Sequence, residues 1–394
     1  MSGDSAAPPA SGGRNGDGAA QKGWAVQMPA GAQSPGYAEA GKRKLVRSHG
    51  YIRRHWVLCC VIAIAAVGVA AGGSWLLYLN NMLGNVDKVG LTVDEENRPP
   101  PTHGEELNIL LAGADNGPGP SISDDVAAGQ WDPGSHRSDT IMILHIPADR
   151  DDAYLVSIPR DSYVKIYDEH GDYAYKDKIN AAFSLYGPSG YLSTVEHLTG
   201  LRMDHLAIID WKGFKDLSSA LGGVEVFIPE TFYDSSQKIT WQAGTHKLEG
   251  EEALQYVRTR HGLTNGDFDR IARQQNFLRS MMGELLSQGT VTNPLKLTSA
   301  LRAITDNLTV DDEWSGGGIR DLALQLRNMR TDDVTFLTAP MAGYGTTDAG
   351  ASVVELDDTQ CKALWDAIAD DDIDAYLEEY SGEAGKLAKP EQVQ

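Results

Sequence analysis

Residues 253–275, ALQYVRTRHGLTNGDFDRIARQQ, concentrate four arginines and two aspartates in one short segment. Arg258 and Arg260 are two residues apart, so we predict that they lie on a strand with both side chains on the same face. The glycine-containing segment 262–266 interrupts the strand pattern and predicts a turn.

A helix is predicted after this turn. Asp267 or Asp269 suits its N-cap position, because a short carboxylate accepts hydrogen bonds from the first free backbone N–H groups. The helix then carries Arg270, Arg273 and Gln274 on adjoining positions. A strand and a helix start would thus direct guanidinium groups to one place, which is how proteins hold phosphate or diphosphate.

The charge of the chain is unevenly distributed. The 394 residues include 34 basic and 55 acidic side chains, a net charge of −21. Residues 1–55 carry +5 and residues 56–79 carry no charge, which leaves −26 on residues 80–394. Such an acidic body argues against nucleic acid as a partner, and it makes a local arginine cluster conspicuous. The three cysteines, Cys59, Cys60 and Cys361, have no disulfide or metal-site spacing.

Residues 56–79 predict a transmembrane helix, because an uncharged run of this length spans the hydrocarbon core of a bilayer. Trp75 and Tyr78 close the run as an aromatic interface anchor, whereas a cleaved signal peptide would have a shorter apolar region. Basic residues precede the run, so we expect the N-terminus to be cytoplasmic and the rest to be extracellular.

The composition predicts five regions. They are a disordered basic tail (1–55), the transmembrane helix (56–79), a linker (80–105), a folded domain (106–345) and an acidic C-terminal extension with one helix (346–394).

Short apolar runs alternate with helical patterns within the folded domain. Predicted strands are 107–113, 140–147, 153–158, 205–210, 224–228 and 334–339. Predicted helices are one opening at 178–180 and those at 189–199, 211–220, 268–288, 319–330 and 358–369. This alternation predicts an α/β fold, a three-layer α-β-α sandwich around a mixed central sheet.

Polar side chains follow or open several predicted strands, and ligands of open α/β sheets bind beyond strand ends. These residues are Asp115, Arg137, Asp139, Arg160, Asp161 and Arg260. The arginines of the chain could hold a diphosphate, and the aspartates could place Mg²⁺, which prefers a few carboxylates plus phosphate oxygens. Together they would neutralise charge on a transferring phosphoryl group. No Ser-His or Cys-His arrangement, Walker A motif or HExxH motif accompanies them.

Three alternatives stay open at this point. Arg137 and Asp139 are close enough in sequence to form an ion pair with each other. Asp115 and Asp161 are each as well suited to capping a turn as to binding a metal. Lys178 is a candidate for substrate binding, but with Asn180 it also suits the start of a helix.

Several separated motifs occur in order along the chain: NILLAGAD (108–115), RSDTIMIL (137–144), VSIPRDSYV (156–164), KINAAF (178–183), GGVEV (222–226) and GTHKLEGEEALQYVRTRHGLTNGDFDRIARQQ (244–275). Together they resemble the motifs of the LytR-CpsA-Psr family of cell-wall proteins. The resemblance runs from about residue 105 to residue 340, and the predicted single N-terminal span also looks like that family.

The resemblance implies an extracytoplasmic, Mg²⁺-dependent phosphotransferase. Family members move a glycopolymer, such as teichoic acid, from a polyprenyl-pyrophosphate carrier to peptidoglycan through a phosphodiester. Asp115 and Asp139 look like the magnesium-binding carboxylates, and Asp267 matches the acidic position proposed to orient groups or activate the acceptor hydroxyl. The residues that look like the pyrophosphate-binding set are Arg137, Arg160, Arg258, Arg260, Arg270 and Gln274.

The candidates for catalysis are therefore Arg137, Arg258, Arg260 and Asp267. Apolar faces of the sheet and of the helix at 268–288 would house the polyprenyl chain. Two rival functions remain: a pyrophosphatase that uses water as the acceptor, and a binding or regulatory module for lipid-linked glycans without turnover.

Overall fold

A computed structural model describes residues 65–66, 69–70, 72–75, 77–78, 81–101, 104–115, 122–129, 131–259, 267–382 and 385–393, without the side chains of 267, 268, 291 and 391. Most of the predicted transmembrane segment and the whole predicted basic tail lie outside these residues. Within the described part of the chain, no helix combines the length and the apolar character needed to cross a membrane.

The core of the fold is a seven-stranded mixed sheet. Its strands are β1 Asp87–Val89, β2 Leu107–Asp115, β3 Arg137–Ile146, β4 Ala153–Ile158, β7 His205–Asp210, β12 Leu308–Asp311 and β13 Val334–Thr338. Their order in the sheet is β1-β12-β7-β2-β3-β4-β13. Four antiparallel ribbons surround it: β5 Tyr163–Tyr167 with β6 Tyr173–Lys178, β8 Val224–Ile228 with β11 Gly244–Leu248, β9 Phe232–Asp234 with β10 Ile239–Trp241, and β14 Met341–Thr346 with β15 Ser352–Leu356.

The strand directions bring the predicted site residues to one edge of the sheet. β2 runs parallel to β7 and antiparallel to β3, and β3 runs antiparallel to β4. The carboxyl ends of β2, β4 and β7 therefore lie at the edge where β3 begins. Asp115 and Arg137 are paired in register at this edge.

Helices cover both faces of the sheet. They are α1 Ile122–Ala127, α2 Asn180–Thr199, α3 Trp211–Ala220, α4 Gly250–Arg258, α5 Asp267–Leu286, α6 Gln288–Val291, α7 Pro294–Thr305, α8 Gly316–Gln325, α9 Asp358–Ala369 and α10 Ile373–Glu379. On one face, α2, α9 and α10 bury residues such as Phe183, Leu364 and Tyr376 against the sheet. On the other, α5 and α8 pack against sheet residues such as Met142 and Phe336. The predicted α/β fold with a mixed central sheet is confirmed.

Helix α2 joins two segments that the sequence predicts as separate helices. The backbone is non-helical at Gly187, where φ is 66° and ψ is −161°. Pro188 follows, and the residue before a proline is disfavoured in helical geometry. The ring of Trp131 packs against Gly187, so that an added Cβ would lie 3.2 Å from it. Glycine thus permits both the kink and the close contact.

Two predicted regions contribute more structure than expected. The segment 80–105, predicted as a linker, supplies β1, which pairs with β12 at the edge of the main sheet. The segment 346–394, predicted to hold one helix, contains β15, α9 and α10. Ile373 and Tyr376 of α10 are buried in the main core, so this part of the extension belongs to the folded body.

Candidate active site

Asp115 and Arg258 form an ion pair at the common edge of the strands. Asp115 is the last residue of β2, and its Oδ2 accepts a hydrogen bond from Arg258 Nη2 at 2.9 Å. The guanidinium group also lies over the ring of Trp211, 5.1 Å from its centroid. Both charged side chains remain partly exposed, so a ligand can reach them.

The prediction that Arg258 lies on a strand is wrong. Arg258 ends helix α4, which has Glu251 and Glu252 in its first turn and buries Leu254 and Val257. Acidic residues near the N-terminus of a helix and a basic residue near its C-terminus both interact favourably with the helix dipole. The dipole thus favours a cation at this helix end, and the fold places that end against β2.

A second carboxylate–arginine pair lies beside the first. Arg160, just after β4, donates from Nη1 to Asp139 Oδ1 at 2.5 Å. Its Nε also lies 3.5 Å from Asp161 Oδ2, and Lys178 Nζ lies 2.9 Å from Asp161 Oδ1. These contacts bear on two of the alternatives that the sequence left open. Asp139 is paired with Arg160, and Lys178 has the Asp161 carboxylate as a partner.

The two pairs line two adjoining grooves of about 450 and 510 Å³. Asp139 and Arg258 line both grooves and so join them. Among the described lining residues, five side chains are cationic and three are acidic. The cationic ones are Arg137, Arg160, Lys178, Arg258 and Arg270, and the acidic ones are Asp115, Asp139 and Asp161. An anion is thus favoured here on an otherwise acidic body.

Helix α5 brings two further predicted residues to the groove. Arg270 and Gln274 are one turn apart, both are buried, and both line the groove next to Arg258. Residues four apart lie on the same helix face, so this placement follows from the helical periodicity. A buried guanidinium group at a groove wall is well suited to binding an anion, because low solvent access strengthens the interaction.

Arg273 does not belong to this set, contrary to the sequence prediction. It is fully buried, with its guanidinium carbon 4.6 Å from the ring centroid of Phe232 and 5.1 Å from that of Tyr256. Burial lowers the pKa of Arg273, although the Tyr256 hydroxyl group opposes this shift. Arg273 therefore braces α5 against α4 and β9 and is not among the residues that line the two grooves.

A tight turn after β9 supplies Ser236 and Gln237 to the groove wall, which sequence reasoning missed. Asp234 accepts hydrogen bonds from Ser236 Oγ at 2.6 Å and from Gln237 Nε2 at 2.9 Å. Burial acts to raise the pKa of Asp234, but these hydrogen bonds outweigh it and lower that pKa to about 2. The turn is therefore held by an ionised carboxylate, which fixes the position of the groove wall.

An apolar cleft of about 240 Å³ continues from the groove between the sheet and helices α3 and α5. Trp211 and Gln274 line both the groove and the cleft. Most of the other lining residues are apolar and include Leu111, Met142, Ala207, Phe214, Leu217, Leu278, Ile304 and Leu308. Trp211 was also missed, although it directly follows the predicted strand 205–210. The arrangement can accommodate an apolar chain next to a charged headgroup.

Asp115 and Asp139 are suitable ligands for Mg²⁺. Among the described residues, no group of three or more His, Cys, Asp or Glu side chains could hold a metal ion. Mg²⁺, however, is commonly bound by one or two carboxylates together with water and substrate phosphate oxygens. Two carboxylates that line a cationic groove fit that pattern.

Arg260 and the side chain of Asp267 lie outside the described residues. The structure places Asp267 only as the first residue of α5, in agreement with the predicted helix start. The roles predicted for Arg260 and Asp267 stay predictions.

A family model described as the LytR_cpsA_psr family matches residues 80–370. The cell wall biosynthesis protein LcpA of Corynebacterium glutamicum is 34% identical over 66% of the chain, which spans only about half (54%) of LcpA. A polyisoprenyl-teichoic acid–peptidoglycan teichoic acid transferase, TagU of Enterococcus faecalis, is 30% identical over 68% of the chain and 80% of TagU. The crystal structure of B. subtilis TagV matches 68% of the chain and 98% of the crystallised TagV chain with a TM-score of 0.55 and 23% identity, which bears on the fold alone.

Proposed function

The chain belongs to the LytR-CpsA-Psr family, and we propose that it transfers a wall glycopolymer from a polyprenyl-diphosphate carrier to peptidoglycan. Its relatives LcpA and TagU are described as a cell wall biosynthesis protein and as a teichoic acid transferase. The product would be a phosphodiester between the glycopolymer and a peptidoglycan hydroxyl group.

One observation carries this proposal: the apolar cleft and the cationic groove are continuous through Trp211 and Gln274. A polyprenyl diphosphate has the matching shape, an apolar chain attached directly to a compact anion. The cleft would take the first part of the prenyl chain, and the groove would take the diphosphate. A free nucleotide or an inorganic phosphate would leave the apolar cleft without a function.

Arg258 and Arg270 would bind the diphosphate in the groove next to the apolar cleft. Arg160 would bind it in the second groove, which Asp139 joins to the first. Bidentate guanidinium contacts fix both the charge and the orientation of a phosphate group. Asp115 and Asp139 would hold Mg²⁺, which when bound neutralises charge that develops on the phosphate oxygens. Arg258 would exchange part of its present contact with Asp115 for the substrate.

The reaction is a phosphoryl transfer with in-line geometry. The acceptor hydroxyl oxygen forms a bond to the phosphorus that carries the glycopolymer. The bond from this phosphorus to the bridging oxygen breaks, and polyprenyl phosphate leaves with the electron pair. The hydroxyl proton passes to a base, for which Asp267 is our candidate. Positioning and charge neutralisation would supply most of the acceleration.

We further propose that the chain is a single-pass membrane protein whose catalytic domain faces outward. The uncharged run 56–79 and the basic residues before it support this topology. A carrier lipid and its enzyme would then share the outer face of the membrane.

Product analysis tests the function. The full chain in detergent is given a polyprenyl-diphosphate-linked oligosaccharide and Mg²⁺, with and without peptidoglycan, and the products are identified by mass spectrometry. We expect polyprenyl phosphate together with a phosphodiester-linked peptidoglycan product. Release of the oligosaccharide phosphate to water despite abundant peptidoglycan would instead indicate a pyrophosphatase, and binding without turnover would indicate a regulatory module.

A further inference from the structure

The ribbon formed by β5 and β6 has two chemically different faces. Opposite residues of an antiparallel pair point to the same side, and successive residues alternate. Val164 and Ile166 are buried in the main core, so their side of the ribbon faces the sheet and α2. The other side is exposed in part, and a register shift after Ile166 places Tyr173 on this side opposite Tyr167. Its residues are Tyr163, Lys165, Tyr167, Tyr173, Lys176 and Lys178.

The outer face thus combines three tyrosines with three lysines in a body of strongly negative net charge. Lys176 Nζ lies 4.4 Å from the centroid of the Tyr163 ring. The Tyr167 ring stacks on His197 at 3.8 Å, and it meets the exposed Tyr173 edge-on at 6.0 Å. These contacts orient the tyrosine rings, which lowers the entropy that the rings would lose on binding a ligand.

A cleft of about 470 Å³ runs along this face. Tyr163, Lys165 and Lys176 line one wall, and Glu355 and Asp358 lie on the opposite wall. Aromatic rings offer flat apolar surfaces to the C–H face of a sugar ring, while carboxylates accept and ammonium groups donate hydrogen bonds to hydroxyl, carboxylate and amide groups. This combination suits a saccharide chain that carries acidic groups.

The cleft is connected to the candidate active site by one residue of the ribbon. Lys178 lies on the same outer face, at the ribbon end, and it contacts Asp161 in the groove at 2.9 Å. The ribbon extends from there for roughly 13 Å at the usual rise of a strand. A saccharide bound along it would present one of its hydroxyl groups to the groove.

We propose that the outer face of the β5–β6 ribbon binds the glycan strand of the peptidoglycan acceptor. This inference rests on the proposed transferase function and names the site of its second substrate. In-line transfer requires the attacking hydroxyl to lie opposite the leaving polyprenyl phosphate. With the prenyl chain in the apolar cleft at Trp211, the leaving group would point toward that cleft, and the acceptor would approach from the groove lined by Lys178, at the end of the ribbon.

Binding and kinetics of two ribbon variants test the proposal. Tyr173→Ala and Lys176→Ala change exposed side chains, and Tyr344→Ala is a matched control, because Tyr344 and Tyr173 are both 58% exposed. Peptidoglycan fragments released by a muramidase are titrated against the full chain in detergent by calorimetry. We expect the fragment Kd to rise about tenfold in each ribbon variant and to stay unchanged in the control. The KM for peptidoglycan should rise with it, and the KM for the lipid-linked donor should not change.

Unchanged fragment binding in both ribbon variants would overturn the proposal. So would an increase in the KM for the donor with unchanged fragment binding, since this would assign the ribbon to the glycopolymer instead. The titration requires no turnover. A wild-type chain that binds fragments through the ribbon but catalyses no transfer would therefore contradict the proposed function and not the glycan site.

Discussion

Arg258 connects the two halves of the candidate site at the level of a single residue. Its guanidinium group lies on Trp211, at the mouth of the apolar cleft, and its Nη2 is hydrogen-bonded to Asp115. Two oxygens of a tetrahedral phosphate group can accept the two parallel N–H bonds of a guanidinium group, as a carboxylate does, and a diphosphate carries more negative charge. Arg258 is therefore placed to bind the substrate where the lipid and the phosphate meet.

Arg258→Ala should lower kcat/KM for transfer by about a hundredfold or more, because one charge-stabilising contact of the transition state is lost. The melting temperature should change little, since the side chain is 45% exposed. Arg320→Ala is the matched control, because Arg320 is equally exposed and also paired with a carboxylate. Equal activity of the two variants would remove Arg258 from the site.

Asp115→Asn and Asp139→Asn should each weaken divalent metal binding by about tenfold or more, because an amide is a poorer ligand for Mg²⁺ than a carboxylate. Binding of Mn²⁺ in place of Mg²⁺ can be followed by electron paramagnetic resonance, without any substrate turnover. Asp151→Asn, at an exposed position away from the lining residues, serves as the control. Metal affinity equal to that of the wild type in both variants would exclude the proposed ligands.

The apolar cleft is a property of whole elements, since β2, β7, α3 and α5 each contribute one part of its wall. Ala207→Phe would fill this cleft from β7, where Ala207 is a buried lining residue. We expect the KM for the lipid-linked donor to rise about tenfold while folding is retained, because the space already exists. A donor with a very short prenyl chain should be affected much less. An equal rise in KM for the long-chain and the short-chain donor would show that the cleft does not hold the prenyl chain.

Much of the fold could be predicted from the sequence, because its strands are apolar runs bounded by glycine, proline or charged residues. The strands 153–158 and 205–210 and the helix 358–369 have the predicted bounds. The strand prediction at residues 253–258 was wrong because a short apolar run fits a strand and a helix equally well. The paired acidic residues before it were an available indication of a helix start.

Other elements depend on tertiary contacts that no local pattern reveals. Strand β1 has three residues and exists through its pairing with β12. Five cationic and three acidic residues that the sequence singled out line the same two grooves, because strand ends and a helix start meet there; their roles stay predictions. Ser236 and Gln237 could not be predicted, because a turn held by Asp234 brings them to the wall from a distant part of the chain.

On the scale of the whole molecule, the C-terminal segment is joined to the central sheet through His145. The side chain is buried. Its Nδ1 lies 2.8 Å from Asn108 Oδ1, and its Nε2 lies 3.0 Å from Asp371 Oδ1. Burial lowers the pKa of His145, and the Asp371 carboxylate opposes this effect only in part. The folded protein thus prefers the neutral imidazole.

Stability should therefore decrease as the pH falls below the ordinary histidine pKa of about 6.5. The unfolded chain takes up a proton there before the folded one does, so protonation favours unfolding until the pH passes the lower folded pKa. We expect the melting temperature to fall between pH 7 and 5.5, and to fall less in His145→Gln. An identical pH dependence in this variant would show that other groups control the acid sensitivity.

A structure of the full chain with Mg²⁺ and a polyprenyl diphosphate would show whether the two grooves and the apolar cleft hold the lipid-linked donor. We predict density for the diphosphate beside Arg258 and Arg160, a metal ion at Asp115 and Asp139, and the start of the prenyl chain in the cleft next to Ala207. A diphosphate bound away from the two grooves, or a prenyl chain bound outside the apolar cleft, would rule out this binding mode.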